Sequence, residues 1–158
     1  MIAERSCFPS RRGILTLGAG TVATIVLRPV AAEAVTRTES TADAIRRFAG
    51  DAEIRPGRIH LDLPPLVENG NAVTITVTVD SPMIPEDHVR RIAVFNDKNP
   101  QPNVITAHLG ARAGRAAITT RIRLADTQRI TAIAETSDGR YWSTSADAIV
   151  TLAACLEG

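Results

Sequence analysis

The chain has 158 residues and a formal net charge of +1, with 44% hydrophobic and 22% charged residues. This length is sufficient for one domain with a buried core. The near-neutral balance leaves no basic stripe for nucleic acid, and the one long apolar segment lies at the N-terminus. The composition therefore excludes a nucleic-acid-binding protein and a multi-span membrane protein.

The N-terminal segment has the layout of an export signal. Arg11-Arg12 precedes an apolar, charge-free run, Ile14–Leu27, and small residues follow that end at Ala34. These three parts are typical of a secretory signal, and the paired arginines indicate the twin-arginine pathway. The run is too short to span a bilayer. We predict a signal peptide over residues 1–34, cleaved after Ala34 or Ala32, and a periplasmic mature protein; the alternative is an N-terminal helix of the folded domain.

Removal of this leader changes the charge and the cysteine content. The mature chain of 124 residues has 14 basic and 15 acidic residues, and Cys7 is lost with the leader. Cys155 is then the one cysteine left, close to the C-terminus. A lone cysteine in an exported protein indicates either an intermolecular disulfide or a free reactive thiol. A Cys7–Cys155 bridge would require an uncleaved leader.

One helix is predicted near the start of the mature chain, over Thr41–Ala49. Thr41 is the predicted N-cap, because its hydroxyl can accept from a first-turn amide. Ala44, Ile45 and Phe48 have the spacing of one helix face, so this face is expected to pack against the rest of the domain.

Short strands follow at regular spacing. The clearest covers residues 72–79, where valine and isoleucine alternate with threonine, as in a strand with one buried face. Asp138-Gly139 indicates a hairpin. The other predicted strands are Ile59–Leu63, Arg91–Phe95, Val104–Leu109, Ala117–Leu124, Arg129–Glu135, Tyr141–Ser143 and Ala148–Leu152. This pattern predicts an all-β fold, an immunoglobulin-like antiparallel β-sandwich with one short N-terminal helix and a flexible C-terminal tail.

The sequence offers no clear enzymatic site. His60, His88 and His108 are isolated from one another, no metal-ligand spacing is present, and no cofactor motif is found. Asp62, His88 and Cys155 could meet in space as an acid, a base and a nucleophile, which keeps a small thiol enzyme open as a hypothesis. A catalytic nucleophile is normally held on a rigid element, and the terminal position of Cys155 argues against that role.

Several stretches of the mature chain carry a family resemblance. They are Glu68–Asn71, Val94–Asn96, Asn99–Ile105, Thr120–Gln128, Ser137–Gly139 and the last strand with the cysteine that follows it. Together they resemble SoxY, the sulfur-carrier family of thiosulfate oxidation, over roughly residues 40–155. The twin-arginine signal fits this resemblance, because members of that family are exported to the periplasm.

The resemblance implies a sandwich domain over residues 35–152, paired with a SoxZ-like protein as a heterodimer, and a C-terminal carrier arm over residues 153–158. It also implies that Cys155 holds the sulfur substrate covalently, and that the protein is a carrier subunit without an activity or cofactor of its own. The implied enzyme partners are a c-type cytochrome complex that attaches thiosulfate, a hydrolase that releases sulfate, and a molybdenum–haem sulfur dehydrogenase.

The arm differs from the family tail, which reads Gly-Gly-Cys-Gly-Gly. Here Cys155 is flanked by Ala153, Ala154, Leu156, Glu157 and Gly158. Alanine is stiffer than glycine, and Leu156 and Glu157 enlarge the arm, so a narrow pocket that fits the glycine tail would accept this one less readily. Beside the carrier, an interaction module that uses Cys155 for an intermolecular disulfide remains an alternative.

Overall fold

The computed structural model describes residues 39–154. The predicted signal peptide, residues 1–34, and residues 155–158 of the arm, Cys155 among them, lie outside the described residues. Within this range, one α-helix precedes nine strands, which form two sheets packed around a common core. The predicted β-sandwich is therefore confirmed. No helix of this range is long and apolar enough to cross a membrane.

Helix α1, Thr41–Ala49, has the predicted bounds but a different cap. The Ser40 hydroxyl accepts from the Asp43 amide at 3.1 Å and so pairs one of the free donors of the first turn. Thr41 instead donates its hydroxyl to the Asn96 carbonyl at 2.8 Å, which ties the helix to a strand. The prediction of Thr41 as the cap is wrong, because local spacing does not distinguish two adjacent hydroxyl residues.

The strands divide unequally between the two sheets. They are β1 (Ile54–Pro56), β2 (Ile59–Asp62), β3 (Leu66–Val67), β4 (Val73–Val79), β5 (Val89–Asn96), β6 (Asn103–His108), β7 (Ala117–Ile122), β8 (Gln128–Thr136) and β9 (Tyr141–Val150). The larger sheet has the order β1-β9-β8-β5-β6, and β3 also pairs with β9. The smaller sheet has the order β2-β4-β7. Pairing is antiparallel except that β1 and β3 run parallel to β9.

The core lies between the two sheets, and β4 contributes to it as predicted. Its valines and its isoleucine are buried, while Thr74 on the opposite face is exposed. Ile75 is only 1% exposed and belongs to the same apolar cluster as Ile92 and Val94 of β5. Alternation with a period of two thus assigned the buried face of this strand correctly.

The structure adds two strands to those predicted and joins two predicted strands into one. Strands β1 and β3 were not predicted, and the separate strands Tyr141–Ser143 and Ala148–Leu152 are one continuous β9. The polar middle of β9 pairs with β8 without interruption, because backbone hydrogen bonds do not require apolar side chains. Strands β1 and β3 are two or three residues long and form by pairing with β9, a distant segment that no local pattern identifies.

Helix α1 packs on the outer face of the larger sheet. The ring of Phe48 meets those of Phe95 and Tyr141 edge to face, each with centroids 5.9 Å apart. The guanidinium of Arg91 lies 4.6 Å from the Phe48 ring centroid and pairs with the buried Glu135 carboxylate. A buried carboxylate requires a charged partner, and Arg91 is that partner for Glu135 while it also contacts Phe48 of the helix. The Arg91 contact and the ring packing together hold the helix on the sheet.

The predicted Asp138-Gly139 hairpin is confirmed between β8 and β9. Gly139 has a φ of 77°, a conformation that glycine adopts without strain. The Asp138 carboxylate accepts from the Thr136 hydroxyl at 2.6 Å and from the Arg140 amide at 3.2 Å. These hydrogen bonds hold the pKa of Asp138 below its ordinary value, and the bond from the Thr136 hydroxyl has the largest effect.

Candidate functional site

The described chain ends at Ala154, one peptide bond before Cys155, and this end is attached to the sandwich. The Ala154 amide donates to the Leu124 carbonyl at 3.0 Å. Ala154 is only 7% exposed, while Ala153 before it is exposed. The arm predicted over residues 153–158 is therefore held by its second residue and does not leave the sandwich at its first.

Gly70 lies at the centre of this attachment. Its amide donates to the Leu152 carbonyl at 2.8 Å, and its carbonyl accepts from the Leu124 amide at 2.8 Å. A β-carbon at Gly70 would overlap the Leu124 carbonyl oxygen and lie 2.9 Å from the Ala154 nitrogen. Three backbone segments thus meet at a point where only glycine fits. We call the hydrogen-bonded set of Gly70, Leu124, Leu152 and Ala154 the arm root.

The segment that leads into the arm root is braced along its length. The Ile149 amide donates to the Pro65 carbonyl, and the Thr151 amide to the Val67 carbonyl, both at 2.9 Å. The Thr151 hydroxyl also donates to the Glu68 carbonyl at 3.2 Å. The stretch from Pro65 to Glu68, which includes β3, therefore holds the end of β9 in place up to the arm root.

A polar network lies on both sides of Leu124. The Asn99 side chain donates to the Arg123 carbonyl at 2.8 Å and accepts from the Ala125 amide at 3.0 Å. It also accepts from Nε2 of Gln128 at 3.0 Å. The network joins two stretches that carry the family resemblance and fixes the residues beside the carbonyl that holds Ala154.

An apolar surface flanks the same segment. Leu66 and Ile149 are opposite each other in the parallel pair β3–β9, and each is 57% exposed. Leu152, in the arm root, is 61% exposed. Single exposed apolar residues are ordinary on a protein surface, but here Ile149 and Leu152 lie on the segment that leads to Cys155, and Leu66 lies beside that segment on β3.

Of the histidines predicted as isolated, His60 lies apart, but His88 and His108 line the same surface hollow with Arg90, Arg91 and Leu109, so the prediction that each is alone is wrong for these two. His60 of β2 is exposed, and its Nε2 lies 3.0 Å from a carboxylate oxygen of Asp80. Nδ1 of His88 lies 3.2 Å from the Ile84 carbonyl oxygen, and His108 ends β6 at an exposed position. Between residues 39 and 154, no group of three or more His, Cys, Asp or Glu could hold a metal ion.

The structure gives no support to an acid–histidine–cysteine group. Asp62 lies at the end of β2 in the smaller sheet, opposite Thr76. His88 directly precedes β5 of the larger sheet, and its backbone amide donates to the Ser137 hydroxyl oxygen at 3.1 Å. Cys155 itself lies outside the described residues, so the thiol-enzyme hypothesis has no geometry to rest on.

Charge near the end of β9 is locally balanced. Arg129 of β8 faces Asp147 of β9 and donates to both of its carboxylate oxygens, at 2.9 and 3.3 Å. These hydrogen bonds hold the pKa of Asp147 below, and that of Arg129 above, the ordinary value. The pair is exposed to solvent, where such contacts contribute little to stability.

Sequence reasoning did not assign a role to Gly70, Leu124 or Asn99. Each lies in a stretch that resembles SoxY, and this resemblance is the feature of the sequence that could have marked these positions. The stretch around Gly70 reads as an ordinary turn, because crowding by distant backbone leaves no local trace in a sequence. Leu124 acts through its backbone amide and carbonyl, and the identity of its side chain does not indicate such a role.

Residues 45–155 match the model of a family described as sulfur oxidation protein SoxY. The match covers more than half of the chain and includes the arm root and Cys155. No curated protein matches the chain.

Solved structures share the fold. The sulfur carrier protein SoxY from Chlorobium limicola f thiosulfatophilum is similar with a TM-score of 0.60 and 24% identity, over 70% of this chain and 96% of that one. A superoxide reductase (neelaredoxin) from Ignicoccus hospitalis has a TM-score of 0.54 and 14% identity, over 60% and 80%. A putative superoxide reductase from Thermotoga maritima has a TM-score of 0.52 and 23% identity, over 62% and 87%. At these identities the likeness establishes the sandwich fold alone.

Proposed function

The chain belongs to the SoxY family of sulfur oxidation proteins, and from this premise we propose that Cys155 carries sulfur intermediates covalently while thiosulfate or a related inorganic sulfur compound is oxidised. One observation supports the proposal above others: the Ala154 amide is bonded to the sandwich one peptide bond before Cys155. A carrier requires its thiol at a reproducible place on a stable domain, and such an attachment meets that requirement.

The proposed chemistry begins with the Cys155 thiolate, since the thiolate and not the thiol is the reactive form. Thiolate and thiosulfate form an S–S bond with loss of two electrons to a c-type cytochrome complex, which gives Cys–S–S–SO₃⁻. Water then cleaves the bond to the sulfonate group in the partner hydrolase. That step releases sulfate and two protons and leaves Cys–S–S⁻ on the carrier.

The remaining sulfur is oxidised without leaving the protein. A sulfur dehydrogenase adds three oxygens from water and removes six electrons and six protons, which gives Cys–S–SO₃⁻. A second hydrolysis releases sulfate and restores the thiolate. The carrier catalyses none of these steps; covalent attachment keeps a reactive intermediate from diffusing away between enzymes.

The proposal includes a compartment and a binding partner. Arg11-Arg12 and the apolar run after them support export to the periplasm by the twin-arginine pathway. Family membership supports a heterodimer with a SoxZ-like protein. The alanine-flanked arm of this chain differs from the glycine tail of the family, so we expect its partner enzymes to have a wider pocket entrance than those that serve a glycine tail.

The decisive experiment is intact-mass analysis of the protein purified from periplasm of cells grown on thiosulfate. Adducts containing sulfur or sulfonate on Cys155, absent in Cys155→Ser, are expected. Cys155→Ser should also abolish thiosulfate-dependent electron transfer in the reconstituted system and leave the melting temperature unchanged. A disulfide-linked dimer without sulfur adducts would instead favour the interaction module, and turnover by the purified protein alone would favour a thiol enzyme.

A further inference from the structure

We propose that Gly70 is a positioning residue that fixes the place where the carrier arm leaves the sandwich and so limits the reach of Cys155. The inference rests on the proposed carrier function, because it concerns the same thiol. It goes further in assigning the reach of that thiol to a residue far from it in sequence.

The arm root is a set of backbone contacts that depends on the absence of a side chain. Gly70 bonds through its amide to Leu152 and through its carbonyl to Leu124, each at 2.8 Å. The Leu124 carbonyl then accepts from the Ala154 amide at 3.0 Å. Because the same carbonyl would overlap a β-carbon at Gly70, any side chain there must displace the group that holds Ala154.

Gly70 differs from the other glycines of the described chain in this respect. A β-carbon at Gly50, Gly57, Gly110, Gly114 or Gly139 would meet no atom within 4 Å. Gly110 is the closest match as a control, because its backbone is extended, with φ −117° and ψ 163°. An alanine at Gly110 therefore adds the same methyl group without crowding and without backbone strain.

The attachment of Ala154 shortens the arm. An extended chain spans at most about 3.6 Å per residue, so release of Ala153 and Ala154 would add about 7 Å to the reach of the thiol. With Ala154 bonded, the chain is attached to the sandwich up to one peptide bond before Cys155. A partner enzyme must then bring the entrance of its pocket close to the arm root, which makes the surface around that root part of the recognition.

Reach is measurable without any partner enzyme. The purified protein is treated with iodoacetamide and, separately, with a maleimide coupled to a bulky polyethylene glycol, and modification of Cys155 is followed by peptide mass. The ratio of the bulky to the small reagent's rate reports how far the thiol stands from the surface. Gly70→Ala should raise this ratio about fivefold, the factor contributed by one hydrogen bond of ordinary strength, whereas Gly110→Ala should leave it unchanged.

A second variant separates positioning from folding. Ala154→Pro removes the amide that bonds to Leu124 and leaves Gly70 intact, so it should raise the ratio in the same way even if Gly70→Ala folds poorly. If both variants lower the melting temperature and leave the ratio unchanged, Gly70 is a structural residue only and the proposal fails. If Cys155 carries sulfur in cells but the ratio of reagent rates is unchanged in both variants, the positioning role of Gly70 is overturned and the carrier function is not. If Cys155 never carries sulfur in cells, the proposed function itself is overturned.

Discussion

The side chains of Asn99 and Gln128 are joined by a hydrogen bond of 3.0 Å, donated by Nε2 of Gln128 to Oδ1 of Asn99. The two residues are 29 positions apart and belong to the loop after β5 and the start of β8. Oε1 of Gln128 in turn accepts from the Lys98 amide at 2.9 Å. Gln128 is only 5% exposed, so its amide group depends on these partners.

The first prediction follows from this bond. Asn99→Ala removes at once the partner of Nε2 of Gln128, of the Ala125 amide and of the Arg123 carbonyl. Because unpaired buried polar groups are costly, the free energy of unfolding should fall by about 1–3 kcal/mol. Urea denaturation measures this. Asn103→Ala, at the start of β6, is the control, since the Asn103 side chain bonds to the Thr106 hydroxyl; an equal loss in both variants would contradict a special role for Asn99.

Features set by local pattern were predictable from the sequence. The alternation in β4, the face of α1 and the Asp138-Gly139 hairpin each depend on neighbours within a few residues. The N-cap of α1 was not predictable from the sequence, because Ser40 and Thr41 are both suitable caps. The choice depends on the distant Asn96 carbonyl, which accepts from the Thr41 hydroxyl.

The arm root shows where sequence reasoning stops. Cys155 was identified because it is a lone cysteine near the end of an exported chain. The attachment of Ala154 was not identified, because its acceptor is the backbone carbonyl of Leu124, 30 residues away, and a residue of any type has such a carbonyl. Gly70 reads locally as a turn residue, and its packing against distant backbone becomes apparent only in three dimensions.

The second prediction tests the core face of β4. Ile75→Ala should lower the free energy of unfolding by about 2–5 kcal/mol, because it leaves a cavity among buried side chains. Thr74→Ala on the exposed face of the same strand should change it by no more than about 0.5 kcal/mol. Both are measured by urea denaturation, and similar values for the two variants would show that this face does not form the core.

The third prediction concerns pH and the hairpin. The Thr136 hydroxyl holds the pKa of Asp138 below its ordinary value, so ionised Asp138 stabilises the fold. This contribution is complete above the unfolded-state pKa of about 3.9 and is lost as the pH falls through the lower folded pKa. Asp138→Asn should therefore be less stable than wild type at neutral pH, with the difference shrinking in acid.

A direct measurement accompanies this test. Thr136→Val should raise the pKa of Asp138 toward its ordinary value, because it removes the hydroxyl donor and keeps the side-chain shape. Carboxyl-detected NMR titration measures that pKa in both proteins. An unchanged pKa in Thr136→Val would assign the effect to Arg140 instead.

The fourth prediction concerns export. Replacing Arg11-Arg12 with Lys-Lys should leave the precursor in the cytoplasm, because the twin-arginine pair is read by a receptor and not by charge alone. Immunoblots of cytoplasmic and periplasmic fractions measure this, and Arg5→Lys is the control, with export retained. Periplasmic accumulation of the Lys-Lys variant at the wild-type level would rule out the twin-arginine route.

The last prediction compares the two alanines before Cys155, both glycine in the family tail. Ala154→Gly removes a buried methyl group, worth about 0.8 kcal/mol, and adds backbone freedom worth about 0.4–1 kcal/mol. The arm root should open locally, so amide hydrogen exchange at residue 154 should accelerate about tenfold with little change in melting temperature. Ala153→Gly alters an exposed residue and adds only the backbone freedom, so exchange at Ala154 should accelerate by about two- to fivefold. Equal acceleration in both variants would mean that burial of the Ala154 methyl group does not hold the arm.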